Sequence, residues 1–76
     1  MSRRLPALTP AKVIAALKRG GFFVHHVAGS HYLLRHPGRP AVSVTVAKHR
    51  KDLKRGTLAG VLKQAGLSVD EFLDLL

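Results

Sequence analysis

The amino-acid sequence predicts an α+β domain in which a three-stranded antiparallel sheet is covered on one face by helices. Three observations lead to this prediction: a capped amphipathic segment near the start, three short extended runs separated by turn residues, and two capped segments near the end. The predicted order is α-β-β-β-α, followed by a short C-terminal helix. Seventy-six residues with 46% apolar side chains suit one small domain, which we assign to residues 1–76.

The first helix is predicted over about residues 10–19. Thr9 is a preferred N-cap residue, and Pro10 stands where proline is favoured, at the first helical position. Apolar residues then recur at helical spacing on one face, namely Val13, Ile14 and Leu17. The pair Gly20-Gly21 is expected to end the helix, because glycine readily adopts the left-handed conformation found after a helix.

Three extended runs follow, and their short connections predict an antiparallel meander. Residues 22–27 are rich in aromatic and β-branched side chains, and a turn at 28–30 leads to the second run, 31–36. A turn at 37–40, which contains two prolines, leads to the third run, 41–46, where valine alternates with serine and threonine. Because the loops are short, neighbouring strands must pair antiparallel.

Two helices are predicted after a basic connector. Thr57 is the expected N-cap of the second helix, and Gly66 is expected to end it. Ser68 and Glu71 have the spacing of a capping box, which predicts a final helix over residues 69–76. The side chains of this helix expected to face inward are Phe72, Leu73 and Leu76.

The positive charge of the chain is concentrated in its first two thirds. Residues 1–51, which include the basic start Arg3 and Arg4, contain ten Lys or Arg and no Asp or Glu. Residues 52–76 contain three basic and four acidic side chains, and the whole chain carries +9. Such a balance favours a polyanion, and nucleic acid is the expected partner. We do not expect membrane binding, because no predicted helix combines a basic face with a wide exposed apolar face.

The composition excludes several classes of site. The chain has no cysteine, hence no disulfide, cysteine-ligated zinc or thiol nucleophile, and it lacks the ~20-residue apolar run of a membrane span; we expect a cytoplasmic protein. The acidic cluster Asp70, Glu71 and Asp74 fits a helix start better than a metal site. His25 and His26, as neighbours in a strand, are expected to point to opposite faces. We therefore predict no metal and no cofactor.

Histidine is the acid–base group that remains. The chain has five histidines, and imidazole exchanges a proton near neutral pH. RNA carries its own nucleophile, the 2′-hydroxyl beside each phosphate, so a histidine among cations suffices in principle for metal-free cleavage. Lys51, Lys54 and Arg55 lie near the start of the second predicted helix, where free amides attract phosphate. A solvated loop with no ligand explains these three residues equally well.

Five segments, in order from about residue 10 to residue 76, resemble the HicA-type toxins. They are Gly20-Gly21-Phe22, Gly29-Ser30-His31, Val44-Thr45-Val46 leading to His49, Leu53–Leu58 and Val61–Leu67. The resemblance implies a double-stranded-RNA-binding-domain-like fold, ribosome-independent cleavage of mRNA, neutralisation by a cognate HicB-type antitoxin, and a catalytic role for His31. The chain departs from the family at His26, where many relatives carry arginine, and in lacking a proline shortly before His49.

The residues and the resemblance together predict a metal-independent endoribonuclease toxin with His31 as general acid or base. The residues expected to bind RNA are Gly29, Ser30, Lys48, His49, Arg50, Lys51, Lys54 and Arg55. His49 is also the candidate for a second acid–base role. Tyr32 is the one aromatic side chain considered for stacking on a base, and the alternative is that it belongs to the core. The alternatives are a non-catalytic RNA-binding module of the same fold and an interaction subunit that recognises an acidic protein.

Overall fold

A computed structural model describes residues 4–76, so Arg3 of the predicted basic start lies outside the described residues. The helices and strands are α1 (Pro10–Arg19), β1 (Phe23–Ala28), β2 (His31–His36), β3 (Arg39–Ala47), α2 (Arg55–Ala65) and α3 (Val69–Leu73). The three strands form one antiparallel sheet in the order β1-β2-β3. The predicted α+β class and element order are confirmed, and they are consistent with a double-stranded-RNA-binding-domain-like fold.

The core lies between the helices and one face of the sheet. Every helix and strand except β1 contributes a side chain that is no more than 1% exposed. In chain order these side chains are Leu17, Leu34, Val44, Leu58 and Phe72. Alternate residues of the strands point to the other face, which we call the open face. The open face carries Phe23, His26, Ala28, His31, Leu33, Arg35, Ser43, Thr45 and Ala47. No helix within residues 4–76 is long and apolar enough to cross a membrane.

The first helix has the predicted bounds. The Thr9 hydroxyl accepts a hydrogen bond from the Lys12 backbone N–H at 3.4 Å, and Pro10 occupies the first turn. Gly20 follows the last helical residue, and Gly21 has a φ of 96°, a conformation that side chains other than glycine rarely adopt. The capping residue at the start and the glycines at the end were therefore sufficient to predict the bounds of α1.

β2 has its predicted bounds, and β1 and β3 differ from theirs by one or two residues. β1 begins after Phe22, which is buried, and ends at Ala28. β3 begins at Arg39 instead of residue 41, so the turn before it contains only Pro37 and Gly38. Pro40 is tolerated inside β3 because it lies where the register with β2 is irregular, between Arg39, which pairs with His36, and Ser43, which pairs with Arg35.

The second helix begins earlier than predicted, and Thr57 is not its N-cap. Lys54 has the extended backbone of an N-cap residue, with no side-chain capping bond, and its carbonyl accepts the Leu58 N–H at 2.9 Å. Thr57 therefore lies inside the first turn. The predicted end is confirmed, because Gly66 has a left-handed φ of 69° and its N–H bonds the last turn of the helix.

The third helix has the predicted capping box but is shorter than predicted. The Ser68 hydroxyl accepts the Glu71 N–H at 3.0 Å, and the Glu71 carboxylate accepts the Ser68 N–H at 2.9 Å. After Leu73 the chain tightens into a turn, in which the Leu75 N–H bonds the Phe72 carbonyl. This turn directs Leu75 toward the core and leaves Leu76 48% exposed, so the predicted inward position of Leu76 is wrong.

Candidate functional site

The turn between β1 and β2 lies against the end of β3. His31 pairs with Ala47 across the two strands, and the Lys48 backbone N–H donates to the Ser30 carbonyl at 2.6 Å. Gly29 has a φ of 59°, which favours glycine, and a Cβ at this position would meet no atom within 4 Å. The sequence therefore folds so that the Gly29-Ser30 turn and the basic connector after β3 form one edge of the molecule.

A cleft opens beside this turn on the helix side of the sheet. Its volume is about 610 Å³, which lies in the range of small-molecule sites. The residues that line the cleft are Thr9, Ala11, Gly29, Ser30, Tyr32, Lys48, His49 and Arg50. The Lys48 Nζ lies 5.1 Å from the centre of the partly buried Tyr32 ring, so the ammonium group and the aromatic face are presented together. We call this group of residues the cationic cleft.

The cationic cleft offers the chemistry that a nucleic-acid backbone requires. Lys48 and Arg50 supply cationic side chains, and the imidazole of His49 and the hydroxyl of Ser30 can donate hydrogen bonds to phosphate oxygens. Tyr32 adds one ring, which is fewer than the successive aromatic side chains of base-stacking platforms. The arrangement therefore suits contacts to phosphate and sugar more than the reading of a base sequence.

His31 is exposed but does not line the cationic cleft. Successive strand residues point to opposite faces, so the side chain of His31 lies on the open face while that of Tyr32 lies on the cleft side. The cross-strand neighbours of His31 are Ala28 on β1 and Ala47 on β3, whose methyl groups leave the imidazole uncovered. Within residues 4–76 the His31 ring has no hydrogen-bond partner, so both of its nitrogens are free for a ligand.

The structure brings together five of the nine predicted site residues. Those that meet in the cationic cleft are Gly29, Ser30, Lys48, His49 and Arg50. The cations of the α2 start, Lys51, Lys54 and Arg55, are exposed but outside the cleft. The buried Leu53 separates the two groups, because its N–H donates to the Leu8 carbonyl at 2.8 Å and holds the connector against the chain before α1. A phosphate site at the start of α2 stays a prediction.

Sequence reasoning did not find the cleft residues Thr9 and Ala11. They lie about twenty residues before the Gly29-Ser30 turn along the chain, and only the packing of α1 against the sheet brings them to it. Their sequence signal is that of a helix start, which carries no information on what the helix start will face. Tyr32 was considered as a stacking platform or as a core side chain. The structure shows its ring partly buried against the core, with the Lys48 ammonium group over it.

His25 and His26 do not alternate as expected, because β1 contains a bulge. The register is continuous from Ala28 to His26, which pairs with Leu33, and resumes at Val24, so His25 is the extra residue. The ring of His25 contacts that of Phe23 edge-on at 6.3 Å, which places it on the open face with Phe23. Both histidines are exposed on the open face, and the expectation that they point to opposite faces is wrong.

His36, at the other end of β2, is used by the fold. Its Nδ1 accepts the Gly38 N–H at 3.0 Å, so the proton of the neutral ring is on Nε2, which donates to the Gly20 carbonyl at 3.1 Å. Its ring also meets that of Phe22 edge-on, with 5.0 Å between centroids. His36 therefore joins the end of α1 to the turn before β3, and no site chemistry needs to be assigned to it.

Comparison with known families identifies the chain. Residues 10–67 match the family model described as HicA toxin of bacterial toxin-antitoxin. No curated protein sequence matches the chain significantly. The matched segment contains α1, the whole sheet and α2, with His31 and every residue of the cationic cleft except Thr9. Because the match covers well over half of the 76 residues, the chain belongs to the HicA toxin family and is the toxin component of a toxin–antitoxin pair.

Proposed function

We propose that this toxin is a cytoplasmic endoribonuclease that cleaves mRNA without a metal ion, with His31 as the general base. The observation that carries the proposal is that the exposed, unpartnered imidazole of His31 and the cationic cleft lie on either side of one short turn. His31 begins β2 directly opposite Ala47, and the Lys48 N–H that follows bonds the Ser30 carbonyl that precedes His31. The acid–base group and the cationic cleft therefore flank the same Gly29-Ser30 turn.

The reaction uses the nucleophile that RNA already contains. His31 accepts the proton of a 2′-hydroxyl, the 2′-oxygen attacks the adjoining phosphorus, and the bond from phosphorus to the 5′-oxygen breaks. The leaving 5′-oxygen takes up a proton, so the products are a 2′,3′-cyclic phosphate and a 5′-hydroxyl, and no water or redox partner is consumed. A positioned acid–base group contributes about 10²–10⁴ in rate.

The cations have two tasks in this proposal. Lys48 and Arg50 in the cationic cleft hold the phosphates that flank the scissile linkage, so the RNA strand crosses the Gly29-Ser30 turn from the cleft to the open face. Their positive charge also offsets, at longer range, part of the negative charge that develops on the attacked phosphate. Because phosphate contacts carry no base information, we expect cleavage with little sequence preference and a strong dependence of binding on salt.

The proposed antitoxin is a HicB-type protein with an acidic surface that covers the cationic cleft. Residues 1–51 of the toxin contain no carboxylate, so an acidic partner meets no like charge on this part of the chain. Occupying the cleft would exclude RNA and silence the toxin in one step.

The decisive experiment incubates the purified toxin with an end-labelled mRNA in the presence of EDTA. Cleavage that persists in EDTA and yields 2′,3′-cyclic phosphate ends is expected. The second candidate function, an RNA-binding module without catalysis, is favoured by the position of the His31 ring outside the cationic cleft. It predicts salt-sensitive binding with intact RNA at every time point. Activity that EDTA abolishes would refute the metal-free mechanism and leave the toxin assignment untouched.

A further inference from the structure

We propose that His26 is the second acid–base residue of the cleavage reaction and donates a proton to the leaving 5′-oxygen. This inference rests on the proposed endoribonuclease function and adds a residue that the reaction requires, because one histidine cannot serve as base and acid in the same step. His49 was the candidate for this role, but it lines the cationic cleft on the other side of the sheet from the His31 ring.

The strand register brings His26 next to His31. His26 pairs with Leu33 across β1 and β2, and His31 stands two residues before Leu33 on the same face of β2. The two histidines are thus diagonal neighbours on the open face, a relation in which Cα atoms lie about 7–8 Å apart and long side chains touch. Two imidazoles at this spacing can contact opposite sides of one phosphate.

The side chains around the two histidines leave room for that phosphate. Ala28 lies directly opposite His31 on β1, and Ala47 lies opposite it on β3, so no bulky group fills the space beside the ring. Both His26 and His31 are exposed, and within residues 4–76 neither ring has a hydrogen-bond partner that would hold it elsewhere. Both rings can therefore turn toward a bound ligand.

The bulge in β1 separates the roles of the two adjacent histidines. His25 is the extra residue, and its ring packs edge-on against Phe23, toward the end of β1 that is farther from His31. Arg35, the charged residue at that end of the open face, donates its Nη2 to the Pro40 carbonyl at 2.7 Å. Among residues 4–76, His26 is therefore the acid–base side chain that the register places beside His31 on this face.

The proton balance of the reaction is complete with this pair. Neutral His31 takes the proton of the 2′-hydroxyl as the bond from the 2′-oxygen to phosphorus forms. Protonated His26 gives its proton to the 5′-oxygen as the bond from phosphorus to that oxygen breaks. The two imidazoles end with exchanged protonation states, and solvent restores them before the next cycle.

The test compares an RNA oligonucleotide that the parent toxin cleaves with the same oligonucleotide carrying a 5′-bridging sulfur at the cleaved linkage. A thiolate leaves without being protonated, so a missing general acid no longer matters. We expect His26→Ala to lose about 10²-fold or more in cleavage of the normal RNA and to cleave the sulfur substrate within about threefold of the parent. His31→Ala should be slow on both substrates, and His25→Ala, the matched control, should equal the parent on both.

Several results would overturn the assignment. Normal cleavage by His26→Ala of ordinary RNA refutes the role of His26 while the proposed function stands. A His26→Ala loss that the sulfur substrate does not restore, with an unchanged melting temperature, shows that His26 contributes something other than the leaving-group proton. If the parent toxin cleaves neither the end-labelled mRNA nor any RNA oligonucleotide, the endoribonuclease function is refuted, and this inference with it.

Discussion

The two ends of β2 carry the same residue type in opposite circumstances. At the first end, which we call the free end, His31 stands between two alanines with neither nitrogen bonded within the described residues. At the second end, which we call the anchored end, His36 uses one nitrogen to accept the Gly38 N–H and the other to donate to the Gly20 carbonyl. An imidazole is therefore a structural or a chemical group according to whether nearby backbone groups already satisfy it.

The space around the glycines near each histidine differs in the same way. At the anchored end, a Cβ on Gly21 would come within 2.6 Å of the His36 Nε2, and a Cβ on Gly20 within 2.9 Å of the Leu75 side chain. At the free end, a Cβ on Gly29 would meet nothing within 4 Å. The anchored end of β2 is closed by packing, and the free end is open to a ligand. A substitution at the anchored end should therefore change stability, and one at His31 should change activity.

The largest expected effect is the loss of catalysis in His31→Ala. RNA cleavage should fall by about 10²–10⁴, while the free energy of unfolding changes by no more than about 0.5 kcal/mol because an exposed side chain without partners is removed. Cleavage rates and thermal melts of the two proteins measure both quantities. Because two alanines flank the vacated position, added imidazole should restore part of the activity. Equal cleavage by His31→Ala and the parent would contradict the role of His31.

The second effect is a loss of stability in His36→Ala, with catalysis retained. The substitution leaves the Gly38 N–H and the Gly20 carbonyl without their partner and removes the ring contact with Phe22. Two lost hydrogen bonds at about 1 kcal/mol each, with the packing loss, give a destabilisation of about 2–3 kcal/mol. Urea unfolding measures it, and cleavage assayed well below the melting temperature should stay within about threefold of the parent. A stable but inactive His36→Ala would reverse the assignment of the two ends.

Features formed by residues close together in the sequence could be predicted, and features formed by distant residues could not. The start of α1 and the capping box at Ser68 were predicted correctly because the residues that form each bond lie three positions apart. The role of His36 depends on a carbonyl sixteen residues away, and no local pattern reveals such a partner. The start of α2 was misplaced for a related reason, since Lys54 caps the helix by its backbone conformation and makes no side-chain bond.

The candidate site was predictable in its chemistry and not in its arrangement. Charge and the Gly-Ser-His motif led to His31 and to the basic connector, and five of the predicted residues do meet in one cleft. The face on which His31 points, and the bulge that brings both His25 and His26 to that face, depend on the register of β1 against β2. This bulge has no glycine to mark it in the sequence, and it is defined only by the residue that the partner strand leaves unpaired.

A third prediction concerns the turn at the free end. Gly29→Ala should lower the free energy of unfolding by about 1–2 kcal/mol, because alanine at a φ of 59° is strained although space is available. Gly60→Ala is the matched control, since this glycine lies inside α2 with no atom near its Cβ position and alanine favours the helix. That variant should be more stable than the parent by up to about 1 kcal/mol. Equal effects at both positions would show that the backbone of the turn is not what restricts residue 29.

The smallest expected effect is on the pH dependence of stability and comes from Glu71 in α3. The turn after this helix places Leu75 against Gly20 at the anchored end. Bonding to the Ser68 backbone N–H, with a further contribution from the Ser68 side chain, holds the pKa of the Glu71 carboxyl below its ordinary value. A carboxyl whose pKa is lowered by folding stabilises the protein above its unfolded-state pKa, and this stabilisation is lost as the pH falls through the folded-state pKa. The melting temperature of the parent should therefore exceed that of Glu71→Gln at neutral pH, and the difference should shrink as the pH is lowered toward about 3.

Glutamine at this position can still accept the Ser68 N–H, so the variant removes the charge and keeps the capping bond. A difference between the two proteins that stays constant with pH would mean that the Glu71 charge contributes nothing and that the capping box acts through its neutral hydrogen bonds.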